Sequence, residues 1–296
     1  MTQALVLVLS LLALGYLANR FGRMPASASD VLNRLVIDLC LPAVLLRVIP
    51  TLRFRWDVLA LIVTPWALAV VGLLVARSAQ RILKLDRATA TVLFLCTALG
   101  NTSFLGFPLC SALLGADSLR YAAVYDQLGS FLLLAFVAPI AIARAQGSAS
   151  SFWDSARKVI AFPPFLATVV ALIPWPRPDW LDPVLAQIAA AMIPVALFAV
   201  GLKLRFTPPR PYGAFAVGML FKLVVSPGLA WGLMLLFDPP HAVFQVAIVE
   251  AAMPAMVTAG ALAMAAGLAP ELAAAFVGWG VVLALLSVPA WAALVK

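Results

Sequence analysis

The chain has 296 residues, 65% of them hydrophobic and only 11% charged, with a mean hydropathy of +1.08. Soluble domains carry roughly 45–50% apolar and about 25% charged residues, so this composition excludes a soluble protein and makes the count of membrane spans the informative quantity. The formal charge of +8 is no argument for nucleic acid, because Lys and Arg at the ends of spans follow from topology alone.

A span needs about 20 mostly apolar residues. Charges, prolines and glycines divide the chain into ten such stretches, at 3–19, 32–50, 58–76, 88–114, 119–143, 158–174, 183–202, 212–236, 241–266 and 271–294. The first has no basic residue before its apolar run and is followed by Arg20 and Arg23, which argues for a retained helix rather than a cleaved signal. Asp38 and Arg47 lie four residues before and five after Pro42 on the second stretch; a structural role for Asp38 and a snorkelling Arg47 are expected. Cys40, Cys96 and Cys110 sit in apolar stretches without C-x-x-C spacing, so neither a disulfide frame nor a metal site is expected.

The fourth stretch poses a problem. No charge interrupts Ala88 to Ala116, yet the middle of that run reads GNTSFLGFP, from Gly100 to Pro108. Freed backbone groups cost several kcal/mol each in hydrocarbon, so irregular chain at that depth survives only inside protein or beside a water-filled cavity. The ninth stretch is interrupted too, by Pro254 and Gly260.

These two interruptions are related. LPAVLLRVIPTLRF (41–54) lies over IPVALFAVGLKLRF (193–206) at an offset of 152, and the same offset pairs Asp30 with Asp182, Asp86 with Asp238 and Gly115 with Gly267. It also carries 100–108 onto 252–260. Each half holds five spans, an odd number, so the second half must be inverted in the membrane. The expected fold is an all-α integral membrane protein of ten helices in two inverted five-helix repeats, 1–143 and 158–296, joined by a cytoplasmic linker at 144–157. Broken helices at matching places in inverted repeats point to a transport site.

With the N-terminus outside, thirteen Lys and Arg fall on the inner side, against five outside, namely Arg53, Arg55, Arg120, Arg177 and Lys296. The positive-inside rule then puts both termini on the non-cytoplasmic side. Trp56, Trp66, Trp153, Trp175, Trp180, Trp279 and Trp291 fall mostly near expected interfaces, as aromatic belts do.

The candidate site residues follow. Asn101, Thr102, Ser103 and Thr258 offer neutral donors and acceptors at the breaks, beside Pro108, Met253 and Pro254. Freed carbonyls there can hold a cation, and the starts of the second half-helices favour an anion. An ionised group near a span's centre costs on the order of 3 kcal/mol on insertion scales, so each needs a reason. Glu250, one turn before Pro254, and Asp126 on the fifth stretch are candidates for binding a proton or coupling cation; Glu250 can equally be a structural carboxylate paired to Lys222. Lys222 on the eighth stretch either compensates one of these acids or draws an organic anion inward. His241 lies at an outer span end, no G-x-G-D or H-E-x-x-H motif occurs, and no enzyme, cofactor or metal is expected.

GNTSFLGFPLCSALLG and EAAMPAMVTAGALAMAAG resemble the two crossover segments of the auxin efflux carrier family, which includes bacterial permeases linked to malonate and malate. LNRLVIDLCLPAVLLRVIP, FKLVVSPGLA and PELAAAFVGWGVVLALLSVPAW are similar to that family's second, eighth and tenth spans. The resemblance implies a fold related to the bile acid/sodium symporters, with spans 1, 2, 6 and 7 as scaffold and spans 3–5 and 8–10 as a transport domain. It further implies crossover helices 4 and 9 meeting at the substrate, with Asn101, Pro108 and Pro254 in the motifs, elevator-like motion and a homodimer. Unlike plant members, this chain has a short loop between spans five and six, and Glu250 stands where those members carry a neutral amide.

The expectation is therefore a secondary transporter of a small organic anion in a bacterial inner membrane, coupled to H+ or Na+. The alternatives are a bile-acid-type sodium symporter for a bulkier acid and a membrane sensor that moves nothing.

Overall fold

The structure, a computed structural model, describes residues 2–52, 56, 58–174 and 176–296. Arg53 and Arg55 of the outer count, Trp175 of the aromatic set and most of the Leu52-Arg53-Phe54 match lie outside the described residues.

The described chain is built from helices: α1 (Thr2–Arg20), α2 (28–51), α3 (Val58–Ile82), α4 (Arg87–Ala98), α5 (Thr102–Leu114), α6 (Ala116–Ala145), α7 (Phe152–Ile160), α8 (Pro163–Leu172), α9 (Leu181–Lys203), α10 (Tyr212–Phe237), α11 (His241–Ala251), α12 (Val257–Ala265) and α13 (Pro270–Leu294). Among the described residues five of these, α3, α6, α9, α10 and α13, are long and apolar enough to cross a membrane, and α7 with α8 makes a sixth if that pair, bent by 65°, is one span. The shorter apolar helices are α4, α5, α11 and Leu5–Arg20 within α1, and the first three are short because the chain breaks between α4 and α5 and between α11 and α12. The bend after Ile160 was not expected; Pro163 and Pro164 open α8, where the missing N–H costs nothing and the preceding residue is driven extended. Helix α7 also begins within the stretch expected as linker, capped by the Ser151 hydroxyl, which accepts from the Asp154 amide.

Side chains such as Leu7, Leu14, Val70, Val169, Leu220, Leu235 and Leu286 are exposed on the outside of this bundle. On a soluble protein so much outward apolar surface would be an aggregation surface; here it is the face that lipid covers.

Four helices open into wide turns at 36–40, 102–106, 133–137 and 221–225, and each is followed two residues later by a proline: Pro42, Pro108, Pro139 and Pro227. The residue before each proline bonds five residues back, Leu41 to Val36, Phe107 to Thr102, Ala138 to Leu133 and Ser226 to Phe221. Proline lacks an N–H and its ring collides with the carbonyl four residues earlier. Widening the preceding turn relieves that collision without ending the helix. A fifth wide turn, 125–130, holds no proline but faces one on its neighbour: a Cβ on Gly129 would overlap the ring of Pro65 in α3. Carbonyls exposed by widening are taken up by indoles, Leu128 by Trp66 Nε1 at 3.1 Å and Leu223 by Trp291 Nε1 at 2.9 Å.

Helices α1 and α9 pack backbone to backbone. A Cβ on Gly15 would overlap the Phe198 carbonyl, and one on Gly201 would overlap that of Leu12. Helices α2 and α8 form the corresponding contact at offset 152. Between α2 and α9, Lys203 Nζ meets Asp30 at 2.9 Å and Arg47 Nε meets Asp182 at 3.1 Å. Each aspartate begins one helix and pairs with a basic residue near the end of the other, so the two helices run antiparallel. Arg47 thus has a carboxylate partner rather than simply reaching outward.

Candidate functional site

The two breaks meet. Residues 99–101 and 252–256 cross as a short antiparallel pairing, with Gly100 opposite Ala255. The Asn101 amide donates to the Pro254 carbonyl at 2.9 Å, and the Met256 amide donates to the Leu99 carbonyl at 2.9 Å. Backbone groups that neither helix can satisfy internally are satisfied by the other break, which is how irregular chain persists at this depth. It also changes the expectation for a cation: the Leu99 and Pro254 carbonyls already accept amides.

Helix α5 restarts at once. The Asn101 carbonyl accepts from Leu105 at 3.3 Å and Gly106 at 3.0 Å, closing a wide first turn, and Pro108 stands inside the resumed helix rather than in the break. In α12 the chain resumes at Val257. Both second half-helices end at a glycine with positive φ nearby, Gly115 at 96° and Gly267 at 72°, a conformation that side chains other than glycine resist.

Three ionisable residues surround the crossing, all on widened or terminal turns. Asp126, fully buried in the wide turn of α6, accepts from the Thr102 hydroxyl at 2.5 Å, the Ser103 hydroxyl at 2.6 Å and Gln127 Nε2 at 2.7 Å. Glu250, fully buried in the last turn of α11, accepts from the Cys110 thiol at 3.4 Å. Its carboxyl lies against the Cα of Gly106, where a Cβ would overlap it. Lys222, buried in the wide turn of α10, reaches over Gly100, with Nζ 3.1 Å from where a Cβ would stand. Among the described residues no carboxylate lies within 4.0 Å of Lys222, so the direct Glu250–Lys222 pair is not formed. Next to these groups, Asn101 Nδ2, Gln127 Oε1 and Glu250 Oε2 are buried without a protein partner.

The structure therefore draws together Asn101, Thr102, Ser103, Asp126, Lys222, Met253, Pro254 and Glu250. Met253 and Pro254 are buried at the crossing, whereas Thr258 is exposed on the first turn of α12. Gly106, Cys110 and Gln127 were not singled out from sequence as site residues. Gln127 carried a signal, since it makes a polar pair with Asp126 in mid-span; the Gly106–Glu250 contact carried none. No group of three or more His, Cys, Asp and Glu side chains is placed to hold a metal ion among the described residues.

A cavity of about 590 Å³ opens between α1, α2 and α9 on one side and α12 and α13 on the other, lined by Asn19, Ser29, Lys203, Val257, Ala261 and Glu271. It reaches the first turn of α12, beside the exposed Thr258.

Comparisons with known proteins place the chain among membrane transporters. A chain from Methanothermobacter thermautotrophicus, described as an uncharacterized transporter, is 26% identical over 300 residues, covering 98% of this chain and 97% of the relative. Another uncharacterized transporter, from Methanocaldococcus jannaschii, is 26% identical over 270 residues, with 86% of each chain covered. The family model described as "Membrane transport protein" matches residues 1–292, and the chain accordingly belongs to that family, the auxin efflux carrier family, as a multi-pass membrane transporter and not an enzyme.

Proposed function

We propose that this transporter moves a small organic anion, with dicarboxylates such as malonate or malate the first class to test, by alternating access at the crossing. The observation that carries the reading is the pair of backbone hydrogen bonds joining Asn101 to Pro254 and Met256 to Leu99. It brings the starts of α5 and α12 to the two ends of one short antiparallel pairing, and helix starts favour negative charge. Lys222 adds a cation over Gly100, and Asn101 Nδ2 adds an unpartnered donor. Both suit a carboxylate.

Coupling rests on the acids. Glu250 has one bonded and one unpartnered oxygen in a sealed setting, which suits binding of H+ or Na+; Asp126 has its oxygens occupied by three donors and is the lesser candidate. In this reading all ten helical stretches cross the membrane as two inverted repeats, 1–143 and 158–296, with 144–157 between them. The paired contacts α1–α9 and α2–α8, and the reciprocal ion pairs of α2 and α9, support that symmetry. Spans 1, 2, 6 and 7 serve as scaffold, and spans 3–5 and 8–10 move as an elevator. The 590 Å³ cavity at their boundary is then the entrance from the side rich in Lys and Arg, the cytoplasm, with both termini outside. A homodimer in the plasma membrane completes the reading.

Purified protein in liposomes tests it. Labelled malonate and malate should accumulate under an imposed pH or sodium gradient. Binding without flux under either gradient would make the protein a sensor, and full flux without sodium would remove the sodium symporter alternative.

A further inference from the structure

A second cavity, of about 570 Å³, lies between α3, α4 and α6 and shares no lining residue with the crossing. Its size is within the usual range of about 300–1,000 Å³ for ligand sites. Three arginines ring one end: Arg77 in α3, Arg87 at the start of α4 and Arg144 at the end of α6. Arg87 Nη1 donates to the Arg144 carbonyl at 3.4 Å, which holds the α4 start beside the α6 end. Among the described residues none of the three has a carboxylate within 4.0 Å. The adjacent Asp86 is engaged as the cap of α4, accepting from the Thr89 amide at 2.6 Å. The cluster is thus a concentration of positive charge without an internal counter-ion.

Away from the arginines the walls turn apolar on all three helices at once. Leu73 lies four residues before Arg77, Phe94 seven after Arg87, and Val137 and Ile140 seven and four before Arg144. At a rise of 1.5 Å per residue these residues stand roughly 6–10 Å deeper along each helix. Gln80 adds a neutral polar group near the mouth, while Thr91, one turn deeper than Arg87, donates its hydroxyl to the Arg87 carbonyl at 2.8 Å. A charged mouth over an apolar floor matches an amphiphile with an anionic head. A small hydrophilic anion would leave the floor empty, and a neutral lipid would leave the arginines without a partner.

We propose that this groove is a binding site for an anionic phospholipid, with the phosphate on Arg77, Arg87 and Arg144 and an acyl chain along Leu73, Phe94 and Ile140. The lipid would bridge α3, α4 and α6 where α4 leads into the first break.

The test is a thermal-shift and binding titration of the full chain in detergent with short-chain phosphatidylglycerol, short-chain phosphatidylcholine and inorganic phosphate. Phosphatidylglycerol should bind and stabilise, phosphatidylcholine should bind at least tenfold more weakly, and phosphate alone should give no shift. R77Q/R87Q/R144Q should lower phosphatidylglycerol affinity on the order of a hundredfold, from the usual contribution of each basic residue at an anionic surface. If that variant does not fold, Ala141→Phe, which fills the floor and keeps the arginines, should lower it about tenfold. Unchanged phosphatidylglycerol binding in the folded variants overturns the proposal. So does phosphatidylcholine binding as tightly as phosphatidylglycerol, and so does phosphate alone binding as tightly, which would assign the arginines to a free anion.

Discussion

The carboxyl group of Glu250 rests directly on the Cα of Gly106, so that the last turn of α11 and the first turn of α5 touch where only a glycine leaves room. A residue before the second break thereby gauges the position of the half-helix that follows the first. Gly106→Ala should force the carboxyl aside and destabilise the protein by about 1–3 kcal/mol, the usual cost of overpacking. Thermal unfolding of Gly106→Ala, Glu250→Ala and the double variant gives the coupling. If the two changes are additive, the contact is energetically silent.

Glu250→Gln keeps the shape of the side chain and removes its ability to ionise. Transport should be lost or should no longer respond to the driving gradient, while the unfolding temperature stays near that of the parent. Uptake with unchanged pH and sodium dependence would count against Glu250 as the coupling group.

Thr102→Val removes one of three donors to the Asp126 carboxylate while preserving bulk. A cost of about 1 kcal/mol is expected, since interhelical hydrogen bonds in membranes average somewhat less and bonds to charged groups somewhat more. Flux should fall further than that stability loss explains, because Thr102 is also the first residue of α5. Retained flux at full rate would separate Asp126 from the transport cycle.

At the crossing, Asn101→Ala and Pro254→Ala should each reduce transport at least tenfold, whereas substitutions in 146–151, between α6 and α7, should leave it within twofold. Those factors correspond to roughly 1.4 and 0.4 kcal/mol on the rate. Uptake rates equal at all these positions would exclude the crossing as the site.

At the contact of α1 with α9, Gly201→Leu should separate the two helices and lower stability by several kcal/mol, as the added side chain meets the Leu12 backbone rather than a movable side chain. By contrast, Asp182→Asn removes only a partly exposed pair with Arg47 and should cost about 0.2–1 kcal/mol. Denaturation in a single detergent compares the two.

Much of this was legible because membrane helices write themselves in hydropathy. The expected stretch 88–114 corresponds to α4 and α5, and 241–266 to α11 and α12, with the breaks close to where Gly100 and Pro254 placed them. The offset of 152 was also visible, and the α2–α9 ion pairs give a reason for one of its matches: Asp30 and Asp182 hold equivalent places at the starts of partner helices. Pro108 was misleading, since it reads as a helix breaker. In the structure its collision is relieved upstream, by the wide turn at 102–106, and the helix continues through it. The same relief at Pro227 opens the turn that carries Lys222.

By itself the sequence determined the membrane environment, the helical stretches, the two interruptions and the 152-residue offset between them, because each depends on local composition or on a fixed spacing along the chain. Tertiary structure alone decided that the interruptions bond to each other, that Glu250 lies on Gly106 instead of pairing with Lys222, and that three arginines far apart in the chain share one groove. Those relationships depend on which faces of distant helices are turned together. Hydrophobicity is nondirectional and cannot encode that choice; close packing and the need to pair every buried backbone group can.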